Sequence, residues 1–322
     1  INMKYKKITN CTVLLITHER PELLNKALDY YKEFFTNIKV LDSSFKKNRF
    51  IKNQYDYHHC KNHGAIEKTV FGLSNTKTEF TIIAPDDDFF LPDSVKTGIK
   101  FLKKESDYVS VGGKYYSFEK IGFLKKFNLM YKDKYNSNSE ILPLKRLKNI
   151  CTKPIAQMTY NLFRTKTIYK SLFEFRYLKQ ISFLEATATL ANILFGKHKY
   201  LNINWMIRDG SVNTIYSTNI DQDGLFKYKK KNTKLIFKKF LKSYYLILKK
   251  CNIEFNKKLI EKYLNKYFSS EKKNISSLSN SLKFIRVLKK IYKFFWYSIL
   301  TYRYWLFFSN NEKKFLRLIF KK

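Results

Sequence analysis

The chain is short of turn formers and of acid. Its 322 residues include only nine glycines and five prolines, and 26 Asp and Glu stand against 63 Lys and Arg. The four cysteines, Cys11, Cys60, Cys151 and Cys251, form no close pair. That spacing excludes a disulfide framework and points to a reducing compartment. No uncharged apolar run approaches the roughly 20 residues that a spanning helix requires. The longest candidate near the end, residues 294–302, lies between Lys293 and Arg303. The apolar run 12–17 is too short for a secretory signal and leads into charge. The expectation is a cytoplasmic protein, peripheral on the inner face of the cell membrane.

What is present is apolar surface and positive charge. Apolar residues make up 44% of the chain, ample for one large domain or two smaller ones. The net charge of +37 is uneven. Between Leu225 and Lys322, 27 Lys and Arg face four Glu, a net +23, which leaves +14 for the first 224 residues. Such a field favours anionic partners: phosphates, nucleic acid or an anionic membrane face.

The first half alternates strand and helix signals. Strands are predicted at 11–17, 38–41, 54–58, 80–84 and 108–111, the last ending in Gly112-Gly113. Helices are predicted from Pro21, over 65–73 and over 92–104. This rhythm argues for α/β architecture with a mostly parallel sheet covered on both faces. Residues 114–118 read as a further strand, 120–140 as a polar loop or insert, and 158–163 as extended. A long helix is predicted within 173–195, stopped by Gly196, and 200–207 alternates as an edge strand does. After Gly224 there is no proline, and helices are predicted at about 225–250, 254–269, 280–308 and 311–320. The chain thus divides into 1–224, an α/β domain, and 225–322, a basic aromatic helical region.

The strand 80–84 runs straight into Asp86, Asp87 and Asp88. Adjacent carboxylates repel, and a divalent cation with a polyphosphate relieves the repulsion. The carboxyl end of a strand is also where open α/β sheets bind ligands. With strand-like alternation, Asp86 and Asp88 share one side and Asp87 points elsewhere. An Asp run that simply caps the following helix is the plain alternative.

Four elements in order resemble the family 2-type glycosyltransferases. The segment Thr12–Pro21, TVLLITHERP, resembles their opening strand and the hydroxyl, His and Arg that follow it. Asp42, followed by Ser43-Ser44, matches the acidic residue that reads the nucleotide base. Gly64 and Lys68, through Gly72, match the glycine-bearing helix. Asp86-Asp87-Asp88 matches the Asp-x-Asp element. The resemblance covers residues 10–118 well and 150–210 loosely, and leaves the C-terminal third uncovered. It implies a GT-A fold and transfer of a sugar from a nucleotide-diphospho-sugar to a glycan. It places Thr17, His18, Arg20, Asp42, Gly64, Lys68, Asp86, Asp87 and Arg208 around the nucleotide-sugar. Asp88, with Asp86, would hold Mn²⁺ or Mg²⁺ through hard oxygen ligands. Inverting transfer needs a general base. The best match to the family's acidic residue is Glu185, a lone carboxylate in an apolar stretch; the chain has Glu-Ala where that family often has Glu-Asp.

Two further patterns carry weight. His58-His59-Cys60 with His63 has the residue types of a zinc site but lacks a second, distant ligand pair. The stretch 285–296 places Lys on one flank and Phe and Trp on the other, the pattern of an interfacial helix on anionic lipid. Nucleic acid is the competing partner, and simple packing on the catalytic domain the plain one. The overall expectation is a metal-dependent, inverting glycosyltransferase acting on a lipid-linked acceptor of a bacterial surface polysaccharide, lipopolysaccharide included. A nucleotidyltransferase or metal nuclease built on the same carboxylates, and a non-catalytic binding protein, remain the alternatives.

Overall fold

Residues 11–17 are buried without interruption, as a strand covered on both faces demands. The computed structural model describes residues 5–48, 51, 55–121, 124–153, 155–179, 181–210, 231–276 and 308–320. Strand β1 (Ile8–Thr17) leads through Arg20 into α1 (Pro21–Tyr31), whose proline sits in the first turn, where no backbone donor is needed. Then come β2 (Phe35–Asp42), β3 (Asp56–His59), α2 (Ala65–Ser74), β4 (Phe80–Pro85), β5 (Asp88–Phe90) and α3 (Pro92–Lys104). The succeeding elements are β6 (Tyr108–Ile121), β7 (Leu124–Leu129), α4 (Pro143–Thr152), a 3₁₀ turn at Met158–Tyr160, β8 (Leu162–Arg164) and α5 (Thr165–Phe173). Last are α6 (Ile181–Leu190), α7 (Asn192–Phe195), β9 (Lys197–Asp209), α8 (Lys231–Lys250), α9 (Lys257–Ser276) and α10 (Asn310–Phe320).

The described strands form one sheet in the order β3-β2-β1-β4-β8-β6-β9-β5, with β7 paired to β6. The fold is α/β with a mostly parallel sheet. β1, β2, β3 and β4 are mutually parallel, and β9 is parallel to β6. The short β8 enters antiparallel between β4 and β6, and β5 lies antiparallel on β9.

Alternation along the strands splits the interior into two cores. Val13, Leu15, Ile82 and Ala84 point to one face and meet α1, α3 and α10. Leu14, Ile16 and Ile83 point to the other and meet α2 and α4 through α9. The basic C-terminal region therefore packs on both faces of the sheet. Phe315 of α10 lies edge-on to Tyr5 and Phe34, and Phe320 to Phe118. On the opposite face, Phe240 of α8 meets Phe175 and Phe183.

Several sequence expectations need correction. Gly112-Gly113 does not end a strand; β6 runs through it. A side chain at Gly112 would fall 2.0 Å from Asn161 Oδ1, and one at Gly113 2.6 Å from the Ile203 carbonyl. The glycines admit close neighbours, and the register shifts beside them. The stretch 120–140 is not all loop, because β7 returns along β6. The single long helix within 173–195 is absent: α5 ends at Phe173, and a turn precedes α6. Phe175 and Leu178 reach the core from that turn, so their burial mimics a helical stripe. The edge reading of 200–207 fails at its end, where β5 pairs with Met206–Arg208 of β9. The helix predicted at 280–308, with its amphipathic segment 285–296, lies outside the described residues but for residue 308. No helix of the described residues is long and apolar enough to cross a membrane.

Candidate functional site

The parallel strands β1, β2 and β4 end side by side, and their last residues carry polar groups. In register, Thr17 lies beside Asp42, and Ile16 beside Pro85, one residue before Asp86. The Thr17 hydroxyl donates to Asp86 Oδ2 at 2.6 Å. Arg20, half-buried at the start of α1, donates from Nε to Asp86 Oδ2 at 3.2 Å and from Nη1 to Asp87 Oδ2 at 3.3 Å; its Nη2 lies against Asp86 Oδ1. Burial pushes Asp86 up to about 7, against the pull of the Arg20 charge.

The alternation expected across the triplet does not occur. Asp86 and Asp87 occupy a turn between β4 and β5, so period-2 geometry stops at Pro85. Arg20 gathers Asp86 and Asp87. Asp88 faces Arg208, its cross-strand partner on β9, which donates from Nε and Nη2 at 2.7 and 2.8 Å. Asp88 is fully buried, and burial raises it to about 6 although the guanidinium opposes this.

Asp42 is anchored rather than loose. The Tyr57 hydroxyl donates to its Oδ2 at 2.7 Å, and the Ser44 backbone N–H to its Oδ1 at 2.9 Å. His18 Nδ1 lies 3.1 Å from Ser43 Oγ. Lys68 is buried under this corner and donates to the Thr17 carbonyl at 2.7 Å and to Ser43 Oγ at 2.9 Å. Burial lowers it to about 8. Gly64 precedes α2, and a side chain there would come 2.8 Å from Lys179 Cα. A cavity of about 760 Å³ opens beside these groups, lined by Thr17, Arg20, Asp42, Ser44, Lys46 and Lys47 among others.

Glu185, on α6, joins the same region by a short relay. Its carboxylate accepts from the Tyr160 hydroxyl and from Gln157 Nε2, both at 2.8 Å. The Tyr160 ring in turn carries the Arg208 guanidinium, 4.6 Å from its centroid. Tyr57, Gln157 and Tyr160 were missed in the sequence. Tyr57 had a weak signal, its place in a short extended run after Asp42. Gln157 and Tyr160 had none. Lys26 and Asp209, paired at 2.6 Å, close the side next to Asp87, whose carbonyl accepts from Asp209 N–H at 2.8 Å.

Asp86 and Asp88 are hard carboxylate donors, suited to Mg²⁺ or Mn²⁺. Among the described residues no group of three or more His, Cys, Asp or Glu assembles into a metal cage, the His58–His63 cluster included. Small divalent ions commonly use one or two carboxylates and complete their shell with substrate phosphate and water; Asp86 and Asp88 supply that chemistry, but each would first have to turn from its arginine, Arg20 or Arg208.

Solved structures show the same architecture. The S. aureus TarS crystal structure is 14% identical with TM-score 0.50, covering 85% of this chain and 46% of that one. TarS 1–349 in complex with UDP-GlcNAc is 15% identical with TM-score 0.53, covering 85% of this chain and 77% of that one. The fold is GT-A. The chain thus spans less than half the length of the first of these structures. No protein-family model matches the chain, and no curated protein does. The described site lies at the carboxyl ends of the parallel strands β1, β2 and β4.

Proposed function

We propose that this chain is a glycosyltransferase that moves a sugar from a nucleotide-diphospho-sugar to a glycan. One observation carries the reading: Thr17, Arg20, Asp42 and Asp86, distant in sequence, meet at adjoining strand ends of a GT-A sheet, beside a cavity of about 760 Å³. In this reading Asp42, held by Tyr57 and Ser44, accepts hydrogen bonds from the nucleotide base. Thr17, His18, Asp86 and Asp87 orient ribose and phosphate. Gly64 and Lys68 support that corner from below, and Arg20 and Arg208 offer positive charge to the diphosphate. Asp88 and Asp86 would hold Mn²⁺ or Mg²⁺, which when bound neutralises the departing diphosphate.

Glu185 is the proposed base. Tyr160 and Gln157 fix its carboxylate, which takes the proton of the acceptor hydroxyl as that oxygen attacks the anomeric carbon. Attack from the side opposite the diphosphate inverts that carbon. The acceptor is a lipid-linked glycan of a bacterial surface polysaccharide, met at an anionic membrane surface; the high positive charge supports this. A nucleotidyltransferase or nuclease would draw a further acidic ligand to Asp86 and Asp88, and no such group forms among the described residues.

A panel of sugar nucleotides, screened for Mn²⁺-dependent thermal stabilisation and for donor hydrolysis, tests the reading. The expected result is stabilisation by one nucleotide family, abolished by Asp42→Ala and by Asp86→Ala in folded protein. Absence of stabilisation and turnover with every donor would sink it. Full activity of Asp88→Ala in the presence of chelator would remove the metal alone.

A further inference from the structure

Helices α8 and α9 present a surface that the proposed transfer chemistry does not use. The inward stripe of α8 includes Phe237, Phe240, Tyr244 and Leu248, all in the core. Its outward stripe carries Lys234, Lys238, Lys239, Lys242 and Lys249, all exposed, and none is ion-paired with a described carboxylate. Lys250 pairs with Glu174. On α9, Lys258, Lys262 and Lys266 follow one another at i, i+4 on the exposed side, with Glu261 as the acid between them.

Two leucines distinguish this face from a merely solvated one. Leu235 and Leu246 are 56% and 40% exposed. At 3.6 residues per turn, the outward residues 234–250 of α8 span an arc of about 160°, with both leucines well inside it. Leu259, also 40% exposed, stands beside Lys258 and Lys262 on α9. With the leucines set between the lysines, the face offers apolar contact as well as charge. Nucleic acid would use the lysines but gain nothing from leucines between them. Lysines that hold their charge in water around shallow apolar side chains match a bilayer interface with anionic headgroups.

We infer that the outward face of α8 and α9 docks this protein on an anionic lipid surface. The inference rests on the membrane-side reading of the proposed function and names the surface that carries it. Phe240, on the inward side of α8, meets Phe183 of α6 at 5.6 Å between ring centroids, two residues before Glu185. Docking therefore holds the helix of the proposed base about one helix layer, roughly 8–10 Å, from the lipid-facing helix.

The test is co-sedimentation of the full chain with phosphatidylcholine vesicles, with and without phosphatidylglycerol. The expected result is binding to the anionic vesicles alone, weakened by salt. Lys238→Glu/Lys242→Glu/Lys262→Glu should cut binding by roughly tenfold or more. Lys238→Gln/Lys242→Gln/Lys262→Gln should give a smaller loss, which keeps the test valid if the charge-reversed protein misfolds. Leu235→Ser/Leu246→Ser should abolish the part of binding that survives high salt. Donor hydrolysis without vesicles should stay at the wild-type rate in all three variants. Unchanged vesicle binding in both lysine variants overturns the proposal, as does equal loss of binding to duplex DNA and to vesicles. Vesicle binding by a protein that turns over no sugar nucleotide would fault the catalytic reading and leave the docking face standing.

Discussion

The parallel half of the sheet and its mixed half handle charge differently. Where β1, β2 and β4 run parallel, the polar groups sit at strand ends and open onto a cavity. Where β8 lies antiparallel between β4 and β6, and β5 antiparallel on β9, the charges are closed on each other: Asp88 on Arg208, Arg208 on Tyr160, Tyr160 on Glu185. The first arrangement is ready for a ligand. The second is a satisfied circuit that a ligand must enter. An open half and a closed half thus share one sheet, and the charges of Arg20 and Asp87 still reach Asp88.

The comparison breaks most sharply at Glu185. Glu185→Gln keeps an acceptor for Tyr160, so the fold should hold while transfer falls by about 10²- to 10⁴-fold, the usual worth of a general base. Nucleotide-sugar binding, measured by calorimetry, should stay near wild type. Transfer within a few-fold of wild type would move the base elsewhere.

Arg208→Met opens the closed circuit from the other end and strands a fully buried carboxylate. The expected loss is about 3 kcal/mol in urea unfolding, since removal of one partner of a buried pair leaves an uncompensated charge. Asp88→Asn should lose less, because Arg208 is partly exposed and can turn to water. Equal losses would mean that the pair is worth no more than its packing.

A third way to sharpen the contrast is acid. His198, on β9, is fully buried, with Nδ1 3.0 Å from Ser110 Oγ, and burial lowers it to about 3. The unfolded chain protonates first, so this histidine's contribution to stability is intact above about pH 6.5 and is lost as pH falls toward 3. Relative to His198→Asn, the wild type should lose on the order of 3 kcal/mol between pH 7 and pH 4, read from urea midpoints. A parallel pH profile for the two proteins would show that the imidazole titrates freely.

The smallest effect is expected in the open half. Tyr57→Phe removes one hydrogen bond to Asp42 and should weaken nucleotide binding by about 1 kcal/mol, with stability nearly unchanged. An affinity loss as large as that of Asp42→Ala would make the tyrosine itself a ligand group.

The two halves were also unequally legible. In the parallel half each strand is a local apolar run with its polar residue next in sequence, so β1, β2, β4 and α3 were readable to within a few residues. Thr17 and Asp42 stood out for the same reason, whereas Gly64 and Lys68 were legible only through the family resemblance. The mixed half depends on pairings between distant segments. That Asp88 would meet Arg208 follows from the register of β5 on β9, which no local pattern encodes. Tyr160 lies in a three-residue 3₁₀ turn, and neither turn nor tyrosine carries a periodic signal. The aspartate triplet was misdivided because the alternation rule was carried past the end of its strand. The glycine pair in β6 was misread because glycine marks both turns and tight packing, and only Asn161 and Ile203 tell the two apart.

The packing of α10 has a consequence for synthesis. Its Phe315 and Phe320 cover Phe34, Phe118 and Phe127, which belong to parts of the sheet made much earlier. β9 is complete at Asp209, and α1 and α3 already pack on this face, but the cover that α10 adds over these rings comes only when residues 310–320 emerge. At typical translation rates the interval is about 5 to 20 s. A nascent sheet with a row of open aromatic rings is a natural client for a ribosome-bound chaperone throughout that time.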